Sequence, residues 1–167
     1  MRFCFIDQIV SYEKGTGIKV RKGVSYAEPF LADHFAGAPV LPGAMMLEAA
    51  VEAATWFLRQ ERDFPFEDYS VEELRQGKFS RVVRPGDVLT ADVNLDKKQE
   101  NKDLFNFRVK GSCEGEKAFS ARFNLRPVPL ADRGIGKERR EAVLQRQKEL
   151  WSVLTTCMPG ERGILVA

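Results

Sequence analysis

Histidine occurs once in this chain of 167 residues, at His34, which leaves no multi-histidine metal site to build. Cysteine is almost as scarce. Cys4, Cys113 and Cys157 are odd in number, far apart and without a CxxC spacing, a pattern of reduced, inert thiols and not of a disulfide framework. A charge surplus is missing too: Lys and Arg total 26 against 24 Asp and Glu, with no run of five like charges. Nucleic-acid binding is therefore not expected. The longest mostly apolar stretch, from Pro42 to Leu58, is broken by Glu48 and Glu52, and the start (Met1, Arg2, then Phe3 and Asp7) lacks the apolar run of a signal peptide. These absences predict a cytoplasmic chain with no membrane partner. Internal repeats and low-complexity tracts are absent as well. What is present, 44% hydrophobic and 30% charged residues over this length, suits one domain with a real core.

Period-two alternation marks both ends of that domain. Residues 2–10 are rich in Phe and Ile. Ile18, Val20, Val24 and Tyr26 share one face, with Gly23 between them as a candidate bulge and residues 14–17 as the preceding turn. Further along, Leu89 to Leu95, Phe105 to Val109 and Phe119 to Leu125 alternate in the same way, and Phe79 to Val83 reads as one more strand. Turns fall at residues 84–87, 97–103 and 114–116. Residues 60–77 are charged and irregular, which predicts a surface excursion. Between the strand groups, Ala44 to Arg59 has the composition of a long helix that is apolar on nearly every side and so needs a sheet wrapped around it. The expected fold is α+β: a hotdog fold, an antiparallel sheet around a long central helix, over residues 1–129. Pro127 and Pro129 are expected to end the last strand. Residues 130–167 form a C-terminal extension whose helix, Lys137 to Cys157, carries the stripe Val143, Leu144, Leu150, Trp151 and Leu154 and is expected to pack on the open face of the sheet.

Chemistry concentrates between His34 and Glu48. Gly37, Pro39, Pro42 and Gly43 force a compact loop that can lay His34 beside the helix start, while Glu48 projects from the second turn into apolar surroundings. A neutral imidazole accepts a proton, and a desolvated carboxyl keeps one near neutrality, so the pair can divide base and acid roles. Unpaired N–H groups at Gly43 and Ala44, at the helix N-terminus, can stabilise a carbonyl oxygen that gains negative charge.

The string from His34 to Ala49, HFAGAPVLPGAMMLEA, resembles the H-F-P-G-x-P-x-x-P-G-x-x-x-x-E signature of the (3R)-hydroxyacyl-acyl-carrier-protein dehydratases of type II fatty-acid synthesis. Residues 78–87, KFSRVVRPGD, are similar to that family's R-F-x-R-P-V-x-P-G-D stretch. Together the two motifs extend the resemblance over residues 18–126. It implies His34 as base, Glu48 as acid, the Gly43 N–H on the thioester carbonyl and the Val40 carbonyl holding the imidazole. It also implies elimination of water without metal or organic cofactor, acyl carrier protein as partner, and a homodimer or trimer of dimers that shares each site between subunits. Phe30, Phe35, Leu41, Met45 and Met46 are candidate walls of an acyl tunnel. Lys78, Arg81 and Arg84 are candidate docking residues for the carrier. Ala36 departs from the motif's proline, and Ala38 stands at a variable position. Glu52 replaces the family's glutamine one turn after the acid and is a candidate modulator of the Glu48 pKa, with an outlet to solvent or an arginine partner as the other options. A non-catalytic acyl-binding or scaffolding hotdog protein, and an acyl thioesterase, are the alternatives.

Overall fold

The computed structural model describes residues 4–31, 34, 35, 37–65, 67–96, 104–132, 134–156 and 158. Six antiparallel strands run β1 (Gln8–Glu13), β2 (Gly17–Gly23), β3 (Glu67–Phe79), β4 (Val88–Leu95), β5 (Phe105–Cys113) and β6 (Glu116–Pro129). They form one sheet in the order β1-β2-β4-β5-β6-β3. Helix α1 (Gly43–Glu61) crosses one face of it, and helix α2 (Lys137–Thr155) follows the last strand. Two strands, a long helix and four strands make the hotdog arrangement anticipated from the sequence. Among the described residues, no helix is long and apolar enough to cross a membrane.

The helix lies close to the sheet because its inward face is built from small residues. Ala49, Ala50, Ala53 and Ala54 are fully enclosed, and Trp56, Phe57 and Leu58 fill the wider space at the C-terminal end. Val20, Leu89, Ala91, Val93, Phe107, Val109, Phe119, Ala121 and Phe123 supply the sheet's half of the core. Gly111 is needed for the β5–β6 contact, because a β-carbon there would stand 1.9 Å from the Phe119 ring.

Several boundaries differ from expectation, each for a physical reason. Residues 67–79 are not an irregular excursion but the edge strand β3, paired to β6 from Glu67↔Pro129 to Phe79↔Phe119 with two register shifts. Its outer two thirds is exposed on both faces, so selection for alternation is weak there. The strand expected at Phe79 to Val83 shrinks to Phe79. Ser80 and Arg81 both donate backbone N–H bonds to the Ala118 carbonyl, and the chain then leaves the sheet. Strand β6 ends at Pro129, as expected, while Pro127 lies inside it; the two stand opposite Glu67 and Tyr69 of the edge strand respectively. The bulge expected at Gly23 sits instead in β1, between Ile9 and Ser11. That first strand also begins later than expected, at Gln8. The turn expected at residues 97–103 lies outside the described residues.

Helix α2 packs on the α1 side of the sheet and not on the open face. Trp151 sits against Tyr12 (5.6 Å between ring centroids), Phe64 (6.3 Å) and Trp56 (6.4 Å). Leu154 is buried beneath it, and Leu144 and Leu150 pack against the same core. The opposite face of the sheet is polar, so it offers an apolar helix stripe nothing to cover. Cys157, expected in this helix, lies outside the described residues.

Candidate active site at the start of the central helix

Both sequence motifs converge where α1 begins. Pro42, with φ −56° and ψ 141°, leads into the helix without a side-chain cap. Its carbonyl accepts the Met45 and Met46 N–H groups at 2.9 and 3.2 Å. The N–H groups of Gly43 and Ala44 find no acceptor among the described residues. Two donors thus point out of the helix N-terminus, as the sequence predicts. The preceding loop is fastened to the second motif, because Leu41 donates its N–H to the Val83 carbonyl at 2.8 Å. Phe79 closes the other side: a β-carbon on Gly43 would lie 3.1 Å from its ring, so glycine lets the helix start against that ring. The Pro85-Gly86-Asp87 turn is locked in place by Gly86 N–H to the Val24 carbonyl and Val24 N–H to the Asp87 carbonyl, each at 2.9 Å.

His34 is half-buried on this loop, its ring edge-on to Phe35 at 4.6 Å. Among the described residues it has no hydrogen bond or ion pair, so the expected hold by the Val40 carbonyl is not formed in the single chain. Phe35 has a positive φ of 55° and is 66% exposed. Among the other residues assigned to the tunnel, Leu41 and Met46 are buried in the core, while Phe30 and Met45 are partly buried against it. Ala36 lies outside the described residues.

Glu48 stands exposed on the single chain, beside the exposed Ala44 and the half-covered Leu47 and Val51. The expectation that the helix is enclosed on nearly every side therefore fails along this strip. Desolvation by the packed atoms around it, and then the negative charge of Glu52, still hold the Glu48 carboxyl above the ordinary carboxylate value. The structure does not bring His34 and Glu48 of one chain into contact.

Glu52 reaches neither solvent nor an arginine partner. It is 2% exposed, and one carboxylate oxygen accepts the backbone N–H groups of Phe5 (2.7 Å) and Ile6 (3.2 Å). The other accepts the Trp56 indole N–H at 3.3 Å. Three donors satisfy the oxygens of this buried side chain. The sequence pattern could not reveal the tie to the N-terminal segment, because two of the donors are backbone groups 46 and 47 residues away. The segment so anchored carries Phe5 against Phe30 (6.0 Å), which leads into the His34 loop. Beside Glu52, burial first and then that carboxylate push the Cys4 thiol up to about 12. Burial likewise raises the Cys113 thiol.

Of the three candidate docking residues, Arg81 is occupied by Glu114 (2.9 Å) and Glu116. Lys78 and Arg84 stay exposed. Among the described residues, no group of three His, Cys, Asp or Glu side chains is placed to hold a metal ion.

The model of the FabA-like domain matches residues 1–122, a span that includes both motifs and all of α1. The chain belongs to that family. Relatives within reach of the FabA-like family include the 3-hydroxyacyl-[acyl-carrier-protein] dehydratase FabZ of Sodalis glossinidius, 32% identical over 121 residues, 71% of this chain and 79% of that one. The FabZ of Oenococcus oeni is 34% identical over 116 residues, covering 70% and 82%. That of Levilactobacillus brevis is 35% identical over 97 residues, covering 58% and 66%. Among solved structures, the dehydratase heterocomplex ApeI:P of Xenorhabdus doucetiae aligns with a TM-score of 0.61 at 21% identity, over 74% of this chain and 82% of that one. Thioesterase PA1618 of Pseudomonas aeruginosa aligns at 0.55 with 15% identity, over 72% and 80%. These two likenesses speak for the fold alone. Helix α2 lies beyond the FabA-like match.

Proposed function

We propose that this chain removes water from (3R)-3-hydroxyacyl-acyl-carrier-protein to give the trans-2-enoyl thioester, with His34 as base and Glu48 as acid. It is a hydro-lyase of fatty-acid or related lipid biosynthesis that needs no metal or organic cofactor. His34 takes the proton from C2. The C2 electron pair forms the double bond to C3, and the C3 hydroxyl leaves as water with the proton of Glu48. Charge that builds on the thioester carbonyl oxygen is met by the open N–H of Gly43 at the positive end of α1. A proton passes back from His34 to Glu48 to reset the pair. The Val40 carbonyl fixes the imidazole once the site is closed, and Phe30, Phe35, Leu41, Met45 and Met46 line the acyl chain's path.

The observation that carries this reading is the start of α1, where two unpaired N–H groups follow the His34 loop and the raised Glu48 carboxyl stands one turn further on. A single chain leaves that site open. The strip Ala44, Leu47, Glu48 and Val51 is only partly covered, and the adjoining edge strand shows Val71, Leu74 and Phe79 to solvent. A second copy laid on this surface covers it and brings one protomer's His34 to its partner's Glu48, in a homodimer or a trimer of dimers. The substrate arrives on an acyl carrier protein. Residues 1–129 form the catalytic domain, with residues 130–167 as an extension on it, and the free Cys4 and Cys113 thiols suit a cytoplasmic location.

The test is the absorbance of the conjugated enoyl thioester when the protein meets 3-hydroxyacyl thioesters of short and long chain. Turnover by the wild type and none by a folded His34→Ala variant is the expected result. No turnover on either carrier-protein or coenzyme A substrates points instead to an acyl-binding scaffold, and release of free thiol points to a thioesterase.

A further inference from the structure

The face of the sheet turned away from α1 sets like charges against each other. Arg108 of β5 stands directly opposite Arg122 of β6, and Lys110, two residues along β5, lies in the next row between Asp92 and Ser120. With Lys19 and Lys117 these side chains line an open groove of about 620 Å³. Directly opposed like charges weaken an antiparallel pair, so an Arg–Arg rung costs the free chain stability. The Arg108–Asp96 ion pair at 3.0 Å relieves part of that cost, and Lys19 is paired with Asp92 at 3.7 Å. Among the described residues, Lys110, Lys117 and Arg122 make no ion pair. The core does not require these cations, because the residues that alternate with them, Phe107, Val109, Ala121 and Phe123, are the ones that face α1.

We propose that this face docks an acidic helix of a partner protein, at a surface separate from the acyl site. Strands about 5 Å apart and rows about 7 Å apart hold the cations on a grid. Carboxylates three or four residues apart on a helix project at about 5–6 Å, a matching interval. A second copy laid face to face on this surface is not the occupant, since it presents the same cations. Nucleic acid fits poorly: Asp92 sits within the grid, and no aromatic side chain lines the groove to stack a base. Nor does the inference depend on the dehydratase reading, because none of these residues belongs to the proposed catalytic machinery.

The experiment uses the full chain and a labelled glutamate-rich helical peptide, with a DNA duplex as the competing probe, read by fluorescence anisotropy at low and high salt. Wild type is expected to bind the peptide in a salt-sensitive way. Lys110→Glu with Arg122→Glu is expected to weaken that binding about tenfold or more, while Arg139→Glu with Arg146→Glu on α2, an equal change of charge, leaves it within about twofold. Equal loss in both variants, absence of peptide binding, or tighter binding of the duplex overturns the proposal. Arg122→Gln supplies a readout that needs no partner. Relief of the Arg108–Arg122 opposition is expected to raise Tm, and a fall in Tm shows that Arg122 serves the fold instead.

Discussion

Glu52 and Phe5 are joined across 47 residues of chain by a hydrogen bond of 2.7 Å, in which the buried carboxylate accepts the Phe5 backbone N–H. The same carboxylate holds Ile6 and the Trp56 indole. A helix residue thus closes the N-terminal segment over the core, and its charge lies one turn from Glu48.

Glu52→Gln separates those two effects. Its amide oxygen can still accept the Phe5 and Ile6 N–H groups, but its NH2 meets the Trp56 N–H donor to donor, at a cost of about 1–3 kcal/mol. Thermal denaturation is expected to show that loss, and Glu52→Ala a larger one, since three donors then lack an acceptor. The pH profile is expected to move as well. In the proposed role Glu48 acts only while protonated, and the Glu52 charge is the second cause that holds its proton, so removing that charge lowers the Glu48 pKa. The alkaline limb of activity shifts to lower pH. An unmoved limb in a folded variant removes Glu52 from the electrostatics of the site.

Neither His34→Ala nor Glu48→Gln should support dehydration by itself, with losses of about two to four powers of ten. Because the two groups do not meet within one chain, a mixture of the two proteins is expected to recover part of the activity once subunits exchange. Each mixed dimer then holds one intact site. No recovery after exchange, established by mass spectrometry, refutes shared sites.

At Gly111, alanine would place its β-carbon 1.9 Å from the Phe119 ring, which in turn stacks on Phe79 at 6.1 Å. Overpacking of this kind costs about 1–3 kcal/mol. A chemical-denaturation midpoint equal to that of the wild type contradicts the packing described.

The Cys4 thiol, pushed by burial from its ordinary value of about 9 up to about 12, is expected to resist alkylation at neutral pH. Its folded pKa lies above the unfolded one, so this group favours the fold fully below pH 9 and loses that contribution as pH rises toward 12. Cys4→Ser is expected to flatten the alkaline fall in stability. An identical slope assigns that fall to other groups.

Much of this architecture was legible because burial leaves a period in the sequence. Strands β2, β4, β5 and β6 alternate since one face meets α1, and the alanines of α1 announced a helix under a sheet. Strand β3 was not legible: an edge strand exposed on both faces along most of its length has no face to mark. Its pairing comes from β6 backbone groups, which any side chain permits. His34, Glu48 and the Gly43 N–H group could be nominated from the sequence because a compact loop, an acid within an apolar helix and a Pro-Gly helix start each leave a local sign. The Phe5 and Ile6 partners of Glu52 left none, since backbone donors carry no residue identity, and the opposed Arg108 and Arg122 become visible only once the strand register is known.

The contact between Trp56 and Trp151 gives this protein an optical reporter of its own. They are its two tryptophans, 6.4 Å apart, one in the central helix and one in the C-terminal extension that the family match leaves out. Any event that lifts α2 from the body separates them and exposes the Trp151 ring to water, so intrinsic emission and near-ultraviolet dichroism follow the docking of the extension without a label.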